Sequence, residues 1–372
     1  MGTRKIPITR PTLPDSGRIR SRVEEILRSG QLTNGKYVKR FENSFARLFG
    51  IKYTVALSSC TDGLTWVLKY LPPGEVILPC FTFSATGHAV VLAGHRPVFA
   101  DCDRSTFNLD PAAAEEKITE NTRAILATYI YGNPPDITTL RQIARRHRLK
   151  LVFDAAHAVG AKHRGIYAGN FGWAEVFSLT PTKQLCCGEG GMVATADKRL
   201  VNYLRLARDY GNPGNYNTRF VGSNIRMEEF NAILGLEGLK HIREFVRNRN
   251  RLAQVYMSEL GDIKGLSFPE VAKYDLCAYK DFTILVNSKQ APCNRNQLQQ
   301  ALDKKNIESR RYFDPPLHRH KAYIDLGYGG RDGLENSDYI SRNCLSLPMY
   351  SHLLPSDVRR IAHIIRREFS PG

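Results

Sequence analysis

The chain has 372 residues, 42% of them hydrophobic and 24% charged, so it can bury one large core or two unequal ones and is too apolar for wholesale disorder. Lys and Arg outnumber Asp and Glu by 53 to 36, a formal charge of +17. That excess is dispersed along the chain rather than gathered into a stripe or a known module, which argues against a nucleic-acid surface. It reads either as solvated helix faces or, in part, as a field that attracts an anionic small molecule.

No apolar run approaches membrane-spanning length, and the opening MGTRKIPITRPTLP lacks the apolar stretch of a signal peptide. A cytoplasmic protein is therefore expected. The eight cysteines form no C-x-x-C pair and sit mostly in apolar runs, as reduced, buried thiols do. His318 and His320 lie close together but have no partners at metal-ligand spacing, so no metal is expected.

From Lys52 to about Thr195 short β-rich runs alternate with helical stretches. The strand candidates are TVALSS (54–59), EVILPC (75–80), PVFADC (97–102), AILATYI (124–130), LVFDAA (151–156), EVFSL (175–179) and MVATA (192–196). Between them, Leu140, Ile143 and Ala144 recur at helical spacing over Thr138–Arg148. Continuous apolar strands separated by helices predict a mainly parallel sheet covered on both faces. A long helical pattern then runs from near Met227 to about Leu260. After it come a strand-like DFTILV (281–286), a helix near Asn296–Lys304 and a closing helix from Ser356 to Phe369. These elements predict a large domain over residues 1–245, with an N-terminal arm over 1–20, and a smaller C-terminal α+β domain over 246–372.

In parallel sheets ligands gather beyond the carboxyl ends of the strands, and three of those ends carry unusual polar residues. SSCTDG, Ser58 to Gly63, enters a helix, where small hydroxyl residues either cap the helix or help its free N–H groups hold an anion. Asp154 closes a strongly apolar strand, as an N-cap, as half of a structural ion pair or as a carboxylate that holds a protonated ring nitrogen. In SLTPTKQLCCGEGG, Ser178 to Gly191, Lys183 lies between a hydroxyl and a glycine cluster that permits a sharp return. Alone it reads as a solvated loop lysine. Together the three ends supply a phosphate cradle, an anion for a ring nitrogen and an amine for a carbonyl, the parts that pyridoxal phosphate requires.

At these residues the chain resembles the DegT/DnrJ/EryC1/StrS sugar aminotransferases, which have the aspartate aminotransferase-like fold type I. The resemblance runs from LTNGKYVKRFENSFARLFG to LSLPMY and rests on SSCTDGL, LPCFTFSAT, PVFADCD, YIYGNPPDI, FDAAHAVGA, FSLTPTKQLCCGEGG and VGSNIRMEE standing in family order. It implies that Lys183 forms the Schiff base with pyridoxal 5′-phosphate and that Ser178, Cys60 and Thr61 hold the phosphate. Asp154 would keep the ring nitrogen protonated, His157 would lie near the phenolic oxygen, and Phe83 would stack on the ring. Asn224 would reach the phosphate from the neighbouring subunit, which implies a homodimer with shared active sites. His318 matches a position that approaches substrate.

The resemblance also implies L-glutamate or L-glutamine as amino donor and a nucleotide-linked keto-sugar as acceptor, in amino-sugar or natural-product biosynthesis such as that of antibiotics. The alternatives are a keto-cyclitol acceptor, a non-transaminating pyridoxal phosphate enzyme, and a pyridoxal phosphate-binding regulator of the same fold. Two departures stand out from the family pattern. Cys60 replaces the usual glycine, and Asp62 places a carboxylate beside the phosphate position, which weakens binding unless the charge is paired. A nicotinamide dehydrogenase is not supported, because no G-x-G-x-x-G follows an early strand.

Overall fold

The computed structural model describes residues 4–14, 17–330 and 333–369. Of the arm expected over residues 1–20, residues 1–3, 15 and 16 lie outside the described part, as do 370–372 of the C-terminal segment.

All seven expected strands form, within one or two residues of the apolar runs. They are β1 (Tyr53–Leu57), β2 (Glu75–Pro79), β3 (Arg96–Ala100), β4 (Thr122–Thr128) and β5 (Lys150–Asp154), then, after the short hairpin β6 (Lys162–His163) and β7 (Ile166–Tyr167), β8 (Ala174–Ser178) and β9 (Gly191–Thr195). They make one seven-stranded sheet in the order β1-β9-β8-β5-β4-β2-β3. β9 alone runs antiparallel to its neighbours, pairing with both β1 and β8, while the other contacts are parallel. The sheet therefore binds the lysine-bearing loop at both ends, since β8 enters it and β9 leaves it.

Both faces of the sheet are covered, which is why the central strands are largely apolar on both sides. On one face Phe153, Phe177, Ile125 and Ile77 pack with Phe41 and Phe45 of the helix Lys36–Phe49 and with Leu140 and Ile143 of the helix Ile137–Arg146. On the other face Val152, Val176, Leu126 and Leu78 pack with Leu64 and Val67 of the helix Cys60–Lys69 and with Leu200 and Leu204 of the helix Lys198–Ala207.

The single helix expected from Met227 to Leu260 is two, Glu229–Leu239 and Ile242–Leu260. The N–H groups of Lys240 and His241 bond to the carbonyls of Glu237 and Gly238, three residues back, at 3.3 and 3.0 Å, so the first helix tightens and ends there. The hydrophobic period continues across the junction because each half faces a core of its own. Ile242 and Val246 pack in the large-sheet core, whereas Leu252, Tyr256 and Leu260 join a separate C-terminal core.

That second core surrounds a small sheet of β10 (Leu266–Ser267), β12 (Phe282–Val286) and β13 (Cys344–Leu347), with β11 (Asp275–Leu276) pairing instead with β6. The helices Arg295–Lys304 and Pro355–Phe369 pack against it. Ile6 is buried in the same core and pairs with Ile307, so the N-terminal stretch is fastened to the C-terminal unit.

Candidate active site

Five carboxyl ends of the large sheet open onto one cavity of about 400 Å³. β1 delivers Ser59 to the head of the helix Cys60–Lys69. β2 continues through Thr82 to Phe83, which precedes the helix Ser84–Leu92. β4 ends at Thr128, β5 at Asp154 and β8 at Ser178, and Lys183 projects from the loop that follows. Lys280, Tyr312 and Phe313 close the remaining side from the C-terminal part of the chain.

Cys60, Thr61, Phe83, Asp154, His157, Ser178 and Lys183, which the sequence singled out from distant motifs, all line this cavity. Asn224 does not; it bridges to Asp209 outside it. His318 is buried beside Asp338, 3.2 Å away, and faces a second, smaller cavity with Arg96 and Lys117. His318 thus lies outside the cavity formed within its own chain. The short turn Leu317–Arg319 is anchored by the Leu317 N–H on the Cys80 carbonyl at 2.8 Å, which keeps the imidazole off the cavity.

The lysine loop is held in place by backbone bonds. Leu179 N–H donates to the Gly190 carbonyl (3.0 Å), Cys187 N–H to the Leu179 carbonyl (2.9 Å) and Lys183 N–H to the Thr180 carbonyl (3.0 Å). Gly188 has φ +87°, a left-handed conformation that glycine adopts without strain. Gly191 answers a different need, because a Cβ there would lie 2.3 Å from the Ser59 carbonyl oxygen. The return strand can therefore pass against the Ser59 helix entrance only without a side chain. Gln184, next to Lys183, donates to the His157 carbonyl at 2.7 Å and couples the positions of the two site residues.

At one end of the cavity the helix Cys60–Lys69 presents its free N–H groups, with the Thr61 and Ser178 hydroxyls close by. Asp62 keeps its charge near this end, where it helps raise the Cys60 pKa, but hydrogen bonds tie its carboxylate down. Its carboxylate accepts from the Ser58 and Ser59 hydroxyls at 2.7 and 2.6 Å, and its N–H is capped by Ser59 at 3.0 Å. Cys60 fits with its thiol 3.4 Å from the Val176 carbonyl, and burial, then the nearby Asp154 charge, push that thiol well above its ordinary pKa. It stands there as a neutral group.

Asp154 accepts from the Thr86 hydroxyl at 2.7 Å and from the Ala156 N–H at 3.0 Å. Burial still raises its pKa, because those two donors and the more distant Lys183 charge do not fully replace water. The Lys183 ammonium makes no ion pair or hydrogen bond among the described residues. Burial first, and then the charge of Lys280, push its pKa down to about 8. His157 is held well below the usual histidine range by burial, then Lys183 and Lys280, so its imidazole is neutral. Phe83 is exposed on the cavity wall, with the Phe313 ring centroid 5.9 Å from its own.

These residues fit pyridoxal phosphate on their own chemistry. A buried carboxylate short of donors suits a protonated ring nitrogen, an amine with a lowered pKa suits an aldehyde, and a helix N-terminus with two hydroxyls suits a phosphate. The Thr128 hydroxyl, buried on the cavity wall, has no hydrogen-bond partner among the described residues and is a further polar group in the cavity. The sequence reading missed Thr86, Thr128, Lys280, Tyr312 and Phe313. Only Lys280 carried a local signal, since it forms a charged pair with Asp281 directly ahead of the wholly buried strand β12.

Comparison with known proteins agrees with this chemistry. The model of a family described as the DegT/DnrJ/EryC1/StrS aminotransferase family matches residues 15–366. A dTDP-4-amino-4,6-dideoxy-D-glucose transaminase from Shigella dysenteriae is 33% identical over 361 residues, covering 96% of this chain and 98% of its own. The structure of DesI in the presence of its TDP-sugar product superposes with a TM-score of 0.90 at 32% identity, over 98% of this chain and 92% of that one. The structure of NtdA from Bacillus subtilis with bound cofactor PMP superposes at 0.85 and 27% identity, over 94% and 81% of the two chains.

Proposed function

The chain belongs to the DegT/DnrJ/EryC1/StrS aminotransferase family, as a pyridoxal phosphate-dependent enzyme of fold type I, and on that premise we propose that it moves the amino group of L-glutamate or L-glutamine onto the ketone of a nucleotide-linked sugar. One observation carries the reaction type: an amine with its pKa near 8 shares a cavity with a donor-poor buried carboxylate and an anion-binding helix end. The acceptor class is supported by the transaminase and the TDP-sugar complex among its relatives, and by a net charge of +17 that favours a diphosphate-bearing substrate.

Pyridoxal phosphate, when bound, supplies an aldehyde that takes up the amino group and a ring that withdraws electrons from it. Lys183 Nζ would attach the cofactor, and as a free amine it would accept the proton from the donor's α-carbon and return a proton later, as base and then acid; burial and the Lys280 charge lower its pKa toward that role. The Asp154 carboxylate would hold a proton on the ring nitrogen, and the neutral His157 would lie near the phenolic oxygen without adding positive charge. Phe83 would lie against the ring, while Ser178, Thr61 and the N–H groups around Cys60 would hold the phosphate.

Asn224 lies outside the cavity of its own chain, which suits a residue that serves a neighbouring one. A homodimer with shared sites completes the cradle in this reading. The setting is cytoplasmic, which eight unpaired cysteines suit, and the product serves amino-sugar or antibiotic assembly.

The test is the visible spectrum of purified protein given pyridoxal phosphate, before and after excess L-glutamate or L-glutamine. A yellow band that bleaches with either donor, and returns only with a keto-sugar nucleotide, supports the proposal. Return with a keto-cyclitol replaces the acceptor. A band that no amino acid moves sinks the aminotransferase reading.

A further inference from the structure

Lys183 is not the only amine in the cavity. Lys280 lines it too, from the opposite wall, and is itself only 5% exposed. A buried ammonium is costly unless its donors are used. Its backbone is fixed, with the N–H bonded to the Tyr131 carbonyl at 2.8 Å and its own carbonyl accepting from Arg249 at 3.1 Å. The ammonium donates to Asp281 Oδ1 at 2.8 Å and lies 5.1 Å from the centre of the Tyr312 ring. An ammonium has three donors. One is spent on Asp281 and one side rests over an aromatic face, which leaves bonding capacity on the side that forms the cavity wall.

The place of this charge decides what it meets. The anion-binding helix end belongs to Ser59, Thr61 and Ser178, on the large-sheet side. Lys280 stands instead with Tyr312 and Phe313, on the side contributed by the C-terminal unit. It is near enough to Lys183 and His157 to disfavour a positive charge on both, yet it is absent from the influences on Cys60 at the anion end. Asp281 already pairs with this ammonium, and its charge also reaches Lys183, so the room for a second anion is the side of Lys280 that lines the cavity.

We propose that Lys280, oriented by Asp281 and Tyr312, is the substrate-binding residue that grips the α-carboxylate of the amino donor. The inference rests on the aminotransferase reading. That carboxylate is attached to the same carbon that gives its proton to Lys183, so it enters the cavity next to the amine. L-Glutamate and L-glutamine share it, so one ammonium serves either donor.

The test compares wild type with Lys280→Met, similar in length but uncharged, and Lys280→Arg, each loaded with pyridoxal phosphate. The donor half-reaction is followed by bleaching of the visible band across L-glutamate or L-glutamine concentrations, whichever the wild type accepts. Losing one charge-assisted contact should raise the half-saturating donor concentration about 10- to 100-fold in Lys280→Met, read well above pH 8 where Lys183 is already deprotonated in the wild type, with a smaller effect on the limiting rate and Lys280→Arg recovering most of the loss. Calorimetry with glutarate, a dicarboxylate that cannot react, gives a readout independent of turnover. Its binding to the cofactor-loaded protein should weaken at least tenfold in Lys280→Met.

An unchanged half-saturating concentration would overturn the proposal. So would an equal loss toward ethylamine, which has no carboxylate, or a loss confined to the acceptor half-reaction. If Lys280→Met does not fold, glutarate must still compete with the donor on the wild type, and non-competitive inhibition would overturn the assignment. A wild-type band that no amino acid bleaches sinks the underlying aminotransferase reading instead, so the two failures are distinct.

Discussion

The two faces of the large sheet each hide a carboxylate, and the contrast separates structure from chemistry. Glu175 and Asp154 lie on adjacent strands, one residue apart in register. Burial raises the pKa of both. Glu175 is fully supplied: the N–H groups of Phe171 (2.6 Å), Gly169 (2.7 Å) and Gly172 (3.1 Å) and the Tyr129 hydroxyl (3.0 Å) all donate to it. Asp154 has the Thr86 hydroxyl, one N–H and the weak Cys60 thiol at 4.0 Å, and it opens onto the cavity. With weaker donor supply and an open side, Asp154 is the carboxylate we propose meets a ligand, while Glu175 braces the loop before β8.

The most severe way to break the ligand-facing side is Lys183→Ala. Transamination should fall by about 10³-fold or more, because covalent attachment and proton transfer are lost together. Mass spectrometry after borohydride reduction should find no cofactor joined to the chain, while the circular dichroism spectrum stays native.

Exchanging the two carboxylates for amides sharpens the comparison. Asp154→Asn should lower turnover about 10²-fold, as an electrostatic partner of the reacting group is removed. It should also raise the melting temperature of the cofactor-free protein at pH 7. The sign follows from the raised pKa: above the unfolded value of 3.8 the folded state resists ionisation, so the carboxylate costs stability as pH rises, and the gain from Asn should vanish near pH 3. Glu175→Gln should leave the turnover of folded enzyme within a few-fold. Its raised pKa likewise favours removing the charge at pH 7, but the amide leaves two of its four donors without an acceptor, at ~1.5 kcal/mol each, so urea titration should read a net loss of stability.

Gly191→Ala tests the strap between the two loops. The added carbon meets the Ser59 carbonyl, so the helix entrance must shift, and cofactor affinity should weaken about tenfold at roughly unchanged affinity for the donor. Equilibrium dialysis of the cofactor measures it. The mildest effect is pH. Uptake of cofactor by the free protein should accelerate as pH rises through about 8, where Lys183 loses its proton, and Lys280→Met should move that midpoint upward because a repelling charge is gone. Stopped-flow absorbance between pH 6 and 10 would show it.

Much of the fold was legible because strands covered on both faces read as unbroken apolar runs between helical spacings. The reversed direction of β9 was not, since an apolar run of five residues carries no sense of direction. The break after Leu239 was hidden by a period that continues across it. At the site, Lys183, Asp154 and Ser178 stood out because each follows a strand with chemistry that a core does not need. Lys280, Tyr312 and Phe313 did not, because they lie far along the chain from those strand ends and become site residues only when the C-terminal unit docks. Thr86 reads as an ordinary residue in the first turn of a helix, and nothing local says that its hydroxyl turns toward Asp154.

The insertion of β9 between β1 and β8 also governs the order of assembly during synthesis. β1 has no neighbour in the sheet except β9, so the first strand translated has no sheet partner until residues 191–195 have left the ribosome. The stretch from Ser58 to Gly63 hangs on that strand, and the lysine loop hangs on β9, so both halves of the cradle close in a single late event. Such long-range closure is slow and leaves an open strand edge exposed meanwhile. A nascent chain halted before Gly191 should therefore bind chaperones but no cofactor, whereas one released beyond Thr195 has every strand of the large sheet in hand.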